Sequence, residues 1–314
     1  MQYTVLNLAE INDFIQQYDI DECTSAKVLS GGSENTNYLI RSKSASYVLT
    51  VCEQKTIAEA TNLALLLGHL ATHDFSTSKV IPTKKRELIS VYQNKPVLLK
   101  TFLPGTIQPD LSPNLLTLIG IQMGKLHQIS APDFLPKTLS YGIGSFDEVA
   151  IYAKDSPYDK WLQAIKQRIT PDLTSTLPQA LIHSDIFYSN VIISKDEREV
   201  VIMDFEEATE YYRIFDVGMA IIGLCRTDKI VDLGKVTSLL QGYVQEVDLT
   251  KEEQAALQSF TIYAAAAMSF WRHKNFNYTN PTPAMFNHYL ELKKVADGLC
   301  ELNASCFKNI LGRL

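Results

Sequence analysis

Apolar positions follow one rhythm up to about residue 102 and another beyond it. In the first stretch they fall mostly in short, β-branched runs, the pattern of strands. Lys27-Val28-Leu29-Ser30, Tyr38-Leu39-Ile40-Arg41, Tyr47-Val48-Leu49-Thr50-Val51, Leu88 to Tyr92 and Val97 to Lys100 read as five such runs. Residues 6–18 read as a short amphipathic helix. Thr56 followed by Glu59 is a capping box, predicting a helix to about His73 with Leu63, Leu66, Leu67 and Leu70 on one face. Leu103-Pro104-Gly105 breaks the last strand and sets the expected boundary between residues 1–102 and 103–314.

In the second stretch helical spacing dominates. Ser112-Pro113 offers an N-cap with Pro in the first turn, ahead of a stripe of Leu116, Ile119, Met123 and Leu126. Residues 131–145 read as loop, and about 147–169 as a helical region interrupted at Pro157. Val191 to Ser194 and Val200 to Met203 form a hairpin, Ile214 to Leu224 a buried helix, and Thr250 with Glu253 caps a helix to about His273. A loop with Pro281 and Pro283 precedes a last helical stretch. Strands with one main helix first, then helices with a small hairpin, make an α+β protein with a sheet lobe and a larger helical lobe.

The chain has 314 residues, enough for two lobes with full cores; 46% hydrophobic and 20% charged content is that of a water-soluble fold. A net charge of −6 without a basic stripe argues against nucleic acid as partner. Five cysteines, with no C-x-x-C, suit a reducing compartment and argue against zinc. The first residues lack a signal-peptide pattern and no apolar run is long enough to span a bilayer, so a cytoplasmic protein without membrane partners is expected.

The chemistry concentrates at His183-Ser184-Asp185-Ile186-Phe187-Tyr188-Ser189-Asn190, followed by Asp204-Phe205. An Asp, an Asn five positions later and a second Asp in this order are the base and metal ligands of kinase-type phosphoryl transfer. A hairpin register in which Ser194 faces Val200 would place Asn190 opposite Asp204, two oxygen donors around one Mg²⁺. Asp185 enters the loop where it can orient a hydroxyl and accept its proton. Gly31-Gly32-Ser33, between two strands, has the shape of a phosphate-covering loop, although a Gly-Gly hairpin turn needs no ligand.

At these residues, and at Phe215-Asp216-Val217, the chain resembles the aminoglycoside phosphotransferase and choline kinase superfamily from about residue 8 to 300. Gly32 to Tyr38, Tyr47 to Val51 and Phe102-Leu103-Pro104-Gly105 resemble the homoserine kinases within it. The resemblance implies a bilobal protein-kinase-like fold and an ATP- and Mg²⁺-dependent transfer to a small-molecule hydroxyl, with L-homoserine, and so threonine biosynthesis, first. It makes Asp185 the catalytic carboxylate and Asn190 and Asp204 the metal ligands. His183 and Asp216 would brace the loop. Gly31, Gly32, Ser33 and Thr50 would lie at the phosphates, and the backbone from Thr101 to Leu103 at adenine. Most kinases carry a strand Lys paired with a helix Glu; here Thr50 and a position near Leu63 replace them, and Glu59 is better explained by its cap. Glu34, Glu206 or Glu207 could meet an ammonium, and Arg272 or His273 a carboxylate. The alternatives are an aminoglycoside, choline or sugar acceptor, or a nucleotide-binding scaffold without catalysis.

Overall fold

The structure is a computed structural model that describes residues 4–29 and 35–313. The phosphate loop expected at Gly31, Gly32 and Ser33, together with Glu34, lies outside the described residues. The chain divides into two compact units, Met1–Pro104 and Gly105–Leu314.

The first unit contains α1 (Leu8–Ile15), β1 (Ser25–Val28), β2 (Asn35–Arg41), β3 (Ser46–Cys52), α2 (Ile57–Thr72), β4 (Ser90–Tyr92) and β5 (Lys95–Thr101). The strands form one antiparallel sheet in the order β1-β2-β3-β5-β4. Tyr38 and Ile40, Leu49 and Val51, and Val97 and Leu99 alternate along their strands and share one core with Ile11 and Ile15 of α1. Period two therefore sets this face. The intervening Leu98 is also buried. Its side of β5 meets α2, whose Leu63, Leu66, Leu67 and Leu70 are buried as their spacing predicts. Each such leucine contributes roughly 1.5–3 kcal/mol. Asn7 and Glu10 form a capping box that starts α1 two residues later than expected. β1 begins before the expected Lys27, because Ser25 pairs with Arg41 at the far end of β2.

The second unit contains α3 (Pro113–His127), α4 (Val149–Tyr152), α5 (Pro157–Ile169), β6 (Gln179–Ile182), β7 (Val191–Ile193), β8 (Val200–Ile202), β9 (Thr209–Tyr212), α6 (Arg213–Leu224), β10 (Arg226–Thr227), β11 (Ile230–Val231), α7 (Leu233–Tyr243), α8 (Lys251–Lys274), α9 (Tyr289–Glu301) and α10 (Ser305–Leu311). The Ser112 cap and the Thr250–Glu253 capping box stand where the sequence puts them. Pro157 does more than interrupt: Ser156 caps a new helix with Pro157 in its first turn, separating α5 from the short α4. α3 crosses α7 so closely that a Cβ on Gly242 would lie 1.9 Å from the Thr117 carbonyl oxygen. Two-stranded ladders β6–β9 and β7–β8 flank the loop that carries His183 to Asn190. Among the described residues no helix is long and apolar enough to cross a membrane.

The β7–β8 register corrects one expectation. Val191 pairs with Ile202 and Ile193 with Val200, so Ser194 faces Glu199 and Asn190 faces Met203, not Asp204. The turn closes one residue tighter than the charged link suggests. Ser194 Oγ donates to Asp196 at 2.8 Å and accepts the Glu199 N–H at 3.0 Å, and Glu197 takes φ 57°.

Candidate active site

β6 ends at Ile182, and the next residues are gripped from beneath by α6. The N–H groups of His183 and Ser184 donate to the two oxygens of Asp216, at 3.0 and 2.7 Å. Asp216 is fully buried in the first turn of α6. Burial alone would raise its pKa; the hydrogen bond with His127 and the donors from His183 outweigh that and hold it below the ordinary carboxylate range. His127 Nε2 lies 3.1 Å from Asp216 Oδ2, and its Nδ1 lies 2.8 Å from the Tyr243 hydroxyl. The chain of contacts thus ties α3, α6 and α7 to the loop.

Ser184 has φ 67°, a left-handed conformation that costs a non-glycine residue roughly 1–2 kcal/mol. It is over-determined: besides the N–H bond to Asp216, its Oγ donates to the Glu207 carbonyl at 2.6 Å and its carbonyl accepts from the Tyr141 hydroxyl at 2.6 Å. His183 Nε2 faces the Met203 carbonyl at 2.8 Å, while Nδ1 accepts the Asp185 N–H at 3.2 Å. Those partners require the neutral imidazole with its proton on Nε2. The fully buried ring connects the two halves of the motif and holds the backbone of Asp185.

Asn190 donates its side-chain Nδ2 to Asp185 twice, to the backbone carbonyl at 2.8 Å and to Oδ2 at 3.0 Å. That leaves the Asn190 Oδ1 as an acceptor. Asp204 follows β8 in a left-handed conformation, φ 70° and ψ 65°. This turn places it beside the loop even though it is not directly across the ladder from Asn190. Its proximity is felt electrostatically. Burial first, then the negative charges of Asp204 and Glu207, push Asp185 up to about 7, against the opposing Asn190 hydrogen bond and Arg272 charge. A divalent cation would remove that repulsion. Two carboxylates and an amide oxygen are hard donors that fit Mg²⁺. No group of three His, Cys, Asp or Glu side chains poised for a metal occurs among the described residues. Few protein ligands suit a cation that takes the remainder from water and phosphate.

The other predicted residues are distributed as follows. Glu206 sits in the turn Phe205–Glu207 directly after Asp204. Arg272, near the end of α8, has its guanidinium 5.7 Å from the centroid of the Phe187 ring in the same loop. His273 is instead enclosed by aromatic rings, stacked on Tyr158 at 4.0 Å and edge-on to Tyr289 at 4.5 Å. In the first unit Thr50 is buried and its hydroxyl donates to Asn37 Oδ1 at 2.7 Å. Leu63 lies in the core, and Glu59 caps α2. The Thr101 N–H donates to the Lys79 carbonyl and its Oγ1 accepts the Lys79 N–H, whereas the Leu103 N–H donates to no protein acceptor among the described residues. Sequence reasoning missed His127, Tyr141 and Tyr243. Tyr141 meets the loop directly at the Ser184 carbonyl, His127 and Tyr243 support it only through Asp216, and a lone His or Tyr carries no signal of a partner in a distant segment.

Residues 25–247 match the phosphotransferase enzyme family. The chain is 28% identical over 263 residues to a homoserine kinase of Nitrobacter winogradskyi, an alignment covering 81% of this chain and 80% of that one. Its fold resembles a microcompartment-associated aminopropanol kinase, with a TM-score of 0.71 at 17% identity over 96% of this chain and 98% of the other. It also resembles an amicoumacin kinase in complex with AMP-PNP, Ca²⁺ and Ami, with a TM-score of 0.72 at 15% identity over 93% and 94% of the two chains.

Proposed function

The chain belongs to the phosphotransferase enzyme family, and on that premise we propose that this small-molecule kinase moves the γ-phosphate of ATP, with Mg²⁺, to the hydroxyl of L-homoserine. The homoserine kinase relative supports the acceptor. The observation that carries the chemistry is the Asn190 amide clamped on Asp185, which fixes a carboxylate and leaves an amide oxygen beside it.

In this reading Asp185 accepts a hydrogen bond from the acceptor hydroxyl and takes its proton as the oxygen bonds to the γ-phosphorus. The bond from that phosphorus to the β–γ bridging oxygen breaks and ADP departs with the electron pair. His183 and Asp216 hold the loop so that little reorganisation is left to the transition state. Asn190 Oδ1 and Asp204 would hold Mg²⁺, which when bound offsets the charge of the phosphates. Thr101 and Leu103 would supply the backbone contact to adenine, the Leu103 N–H, without an acceptor among the described residues, being the donor, and Gly31, Gly32 and Ser33 would cover the phosphates. Thr50 brings no cation to them, so a bound metal and the backbone amides would carry that load. Glu206 and Glu34 are the carboxylates assigned to the acceptor's ammonium.

The test is ADP release with Mg-ATP and L-homoserine, choline or an aminoglycoside, side by side. The reading expects turnover with L-homoserine at least tenfold above either rival in kcat/KM. Preference for choline or the aminoglycoside would reject it.

A further inference from the structure

Arg272 is a guanidinium that the fold has half-buried and left short of a counter-charge. Its Nη1 is buried with no hydrogen-bond partner. The Phe187 ring, 5.7 Å away, takes one face of the cation. The carboxylate whose charge acts on it most, Glu291, is already bound to Arg226, whose Nη1 donates to Glu291 Oε1 at 2.6 Å. His288 also leans on that same carboxylate, Nε2 to Oε2 at 3.9 Å, and its Nδ1 is a second buried nitrogen without a partner. Two permanent cations and an imidazole thus share one carboxylate. Burial pulls the Arg272 pKa down to about 10, so the group still carries its charge at neutral pH.

A buried guanidinium nitrogen without a partner is costly, and such a group in a folded protein calls for an explanation, a functional role among them. Asp185 contributes attraction at a distance but makes no hydrogen bond to Arg272. The guanidinium lies 5.7 Å from the centroid of Phe187, two residues along the chain from Asp185. A guanidinium fork matches a carboxylate in bidentate geometry.

We propose that Arg272, seated on Phe187, receives a carboxylate of the phosphate acceptor and so selects a hydroxylated amino acid over an amino alcohol. This rests on the reading of Asp185 as the carboxylate that receives the acceptor hydroxyl. The same anion chemistry could be the transferring phosphate, and the experiment separates the two.

The measurement compares kcat/KM for L-homoserine with that for 3-aminopropan-1-ol, which is homoserine without its carboxylate, in the wild type, Arg272→Ala and Arg272→Lys. Calorimetric binding of Mg-ATP to each protein accompanies it. The expected result is a preference for homoserine in the wild type that collapses by about 100-fold in Arg272→Ala, mostly through KM, with Mg-ATP binding retained. Arg272→Lys, which keeps the charge and loses the fork, recovers part of the preference. An equal fall on both alcohols, or loss of Mg-ATP binding, would show the residue gripping phosphate or merely bracing the loop, and the proposal fails. Wild-type turnover confined to L-serine or L-threonine, with the same dependence on Arg272, removes homoserine but upholds the proposal. Turnover confined to acceptors without a carboxylate overturns both.

Discussion

Gly223 of α6 lies so close beneath Ile186 that a Cβ built on it would sit 2.1 Å from the Ile186 carbonyl oxygen. Ile186 is the residue after Asp185, so the helix backbone itself is the floor of the loop that carries Asp185. Gly223→Ala must lift that loop, since the clash is with backbone and not with a flexible side-chain tip. Overpacking of this kind costs about 1–3 kcal/mol of stability. A displacement near 1 Å at the base lowers kcat on the order of 100-fold. Thermal unfolding and steady-state kinetics on the same preparation check both effects.

Asp204→Asn tests the metal assignment. The substitution keeps the size and one oxygen donor and removes a negative charge. The Mg²⁺ concentration giving half-maximal rate is expected to rise about 10–100-fold, by analogy with the loss of ligand support at other metal centres. A magnesium titration of ADP release at fixed ATP reads this, and an unchanged midpoint counts against Asp204 as a ligand.

His273 makes stability depend on pH. Burial alone pulls its pKa down to about 4, because its ring lies among Tyr152, Tyr158, Tyr278 and Tyr289 and its Nδ1 has no partner. The unfolded chain therefore takes up this proton near pH 6.5, while the folded one resists it until about pH 4. Between those values the unfolded state binds more protons. The stability contribution of the neutral ring is full above pH 6.5 and is lost as pH falls toward 4. In His273→Phe the melting temperature is expected to vary less between pH 6.5 and 4.5 than in the wild type, as followed by circular dichroism. A parallel pH dependence in both proteins would exclude the residue as the source.

Much of the architecture was legible because its signals are local. The capping boxes at Thr56 and Thr250 and the Ser112-Pro113 start each use residues within one helical turn, and all three stand. The motif order likewise put Asp185 and Asn190 together, since five residues of loop can fold only a short way. The hairpin register was not legible, because a charged link tolerates turns of different length and one residue of slip moves every partner. The ladder of β6 with β9 escaped for another reason: each strand is four residues long and its partner lies across the whole hairpin. The support under the loop is less local still. His127 meets Asp216 across 89 residues and Tyr243 across 116, and neither separation leaves a period to read. The unpartnered Arg272 nitrogen is visible only in three dimensions, because a basic residue in the last turn of a helix has an adequate reason to be there already.

The most direct test of the chemistry follows labelled γ-phosphate from Mg-ATP to L-homoserine in the wild type and in Asp185→Asn, with nucleotide affinity measured alongside. Asn keeps an oxygen that can accept from the Asn190 amide but cannot take the hydroxyl proton. The rate of phosphohomoserine formation is expected to fall by about 10³-fold, within the range for loss of a positioned base, while Mg-ATP affinity changes by less than about threefold. A variant that still transfers phosphate at the wild-type rate contradicts the account.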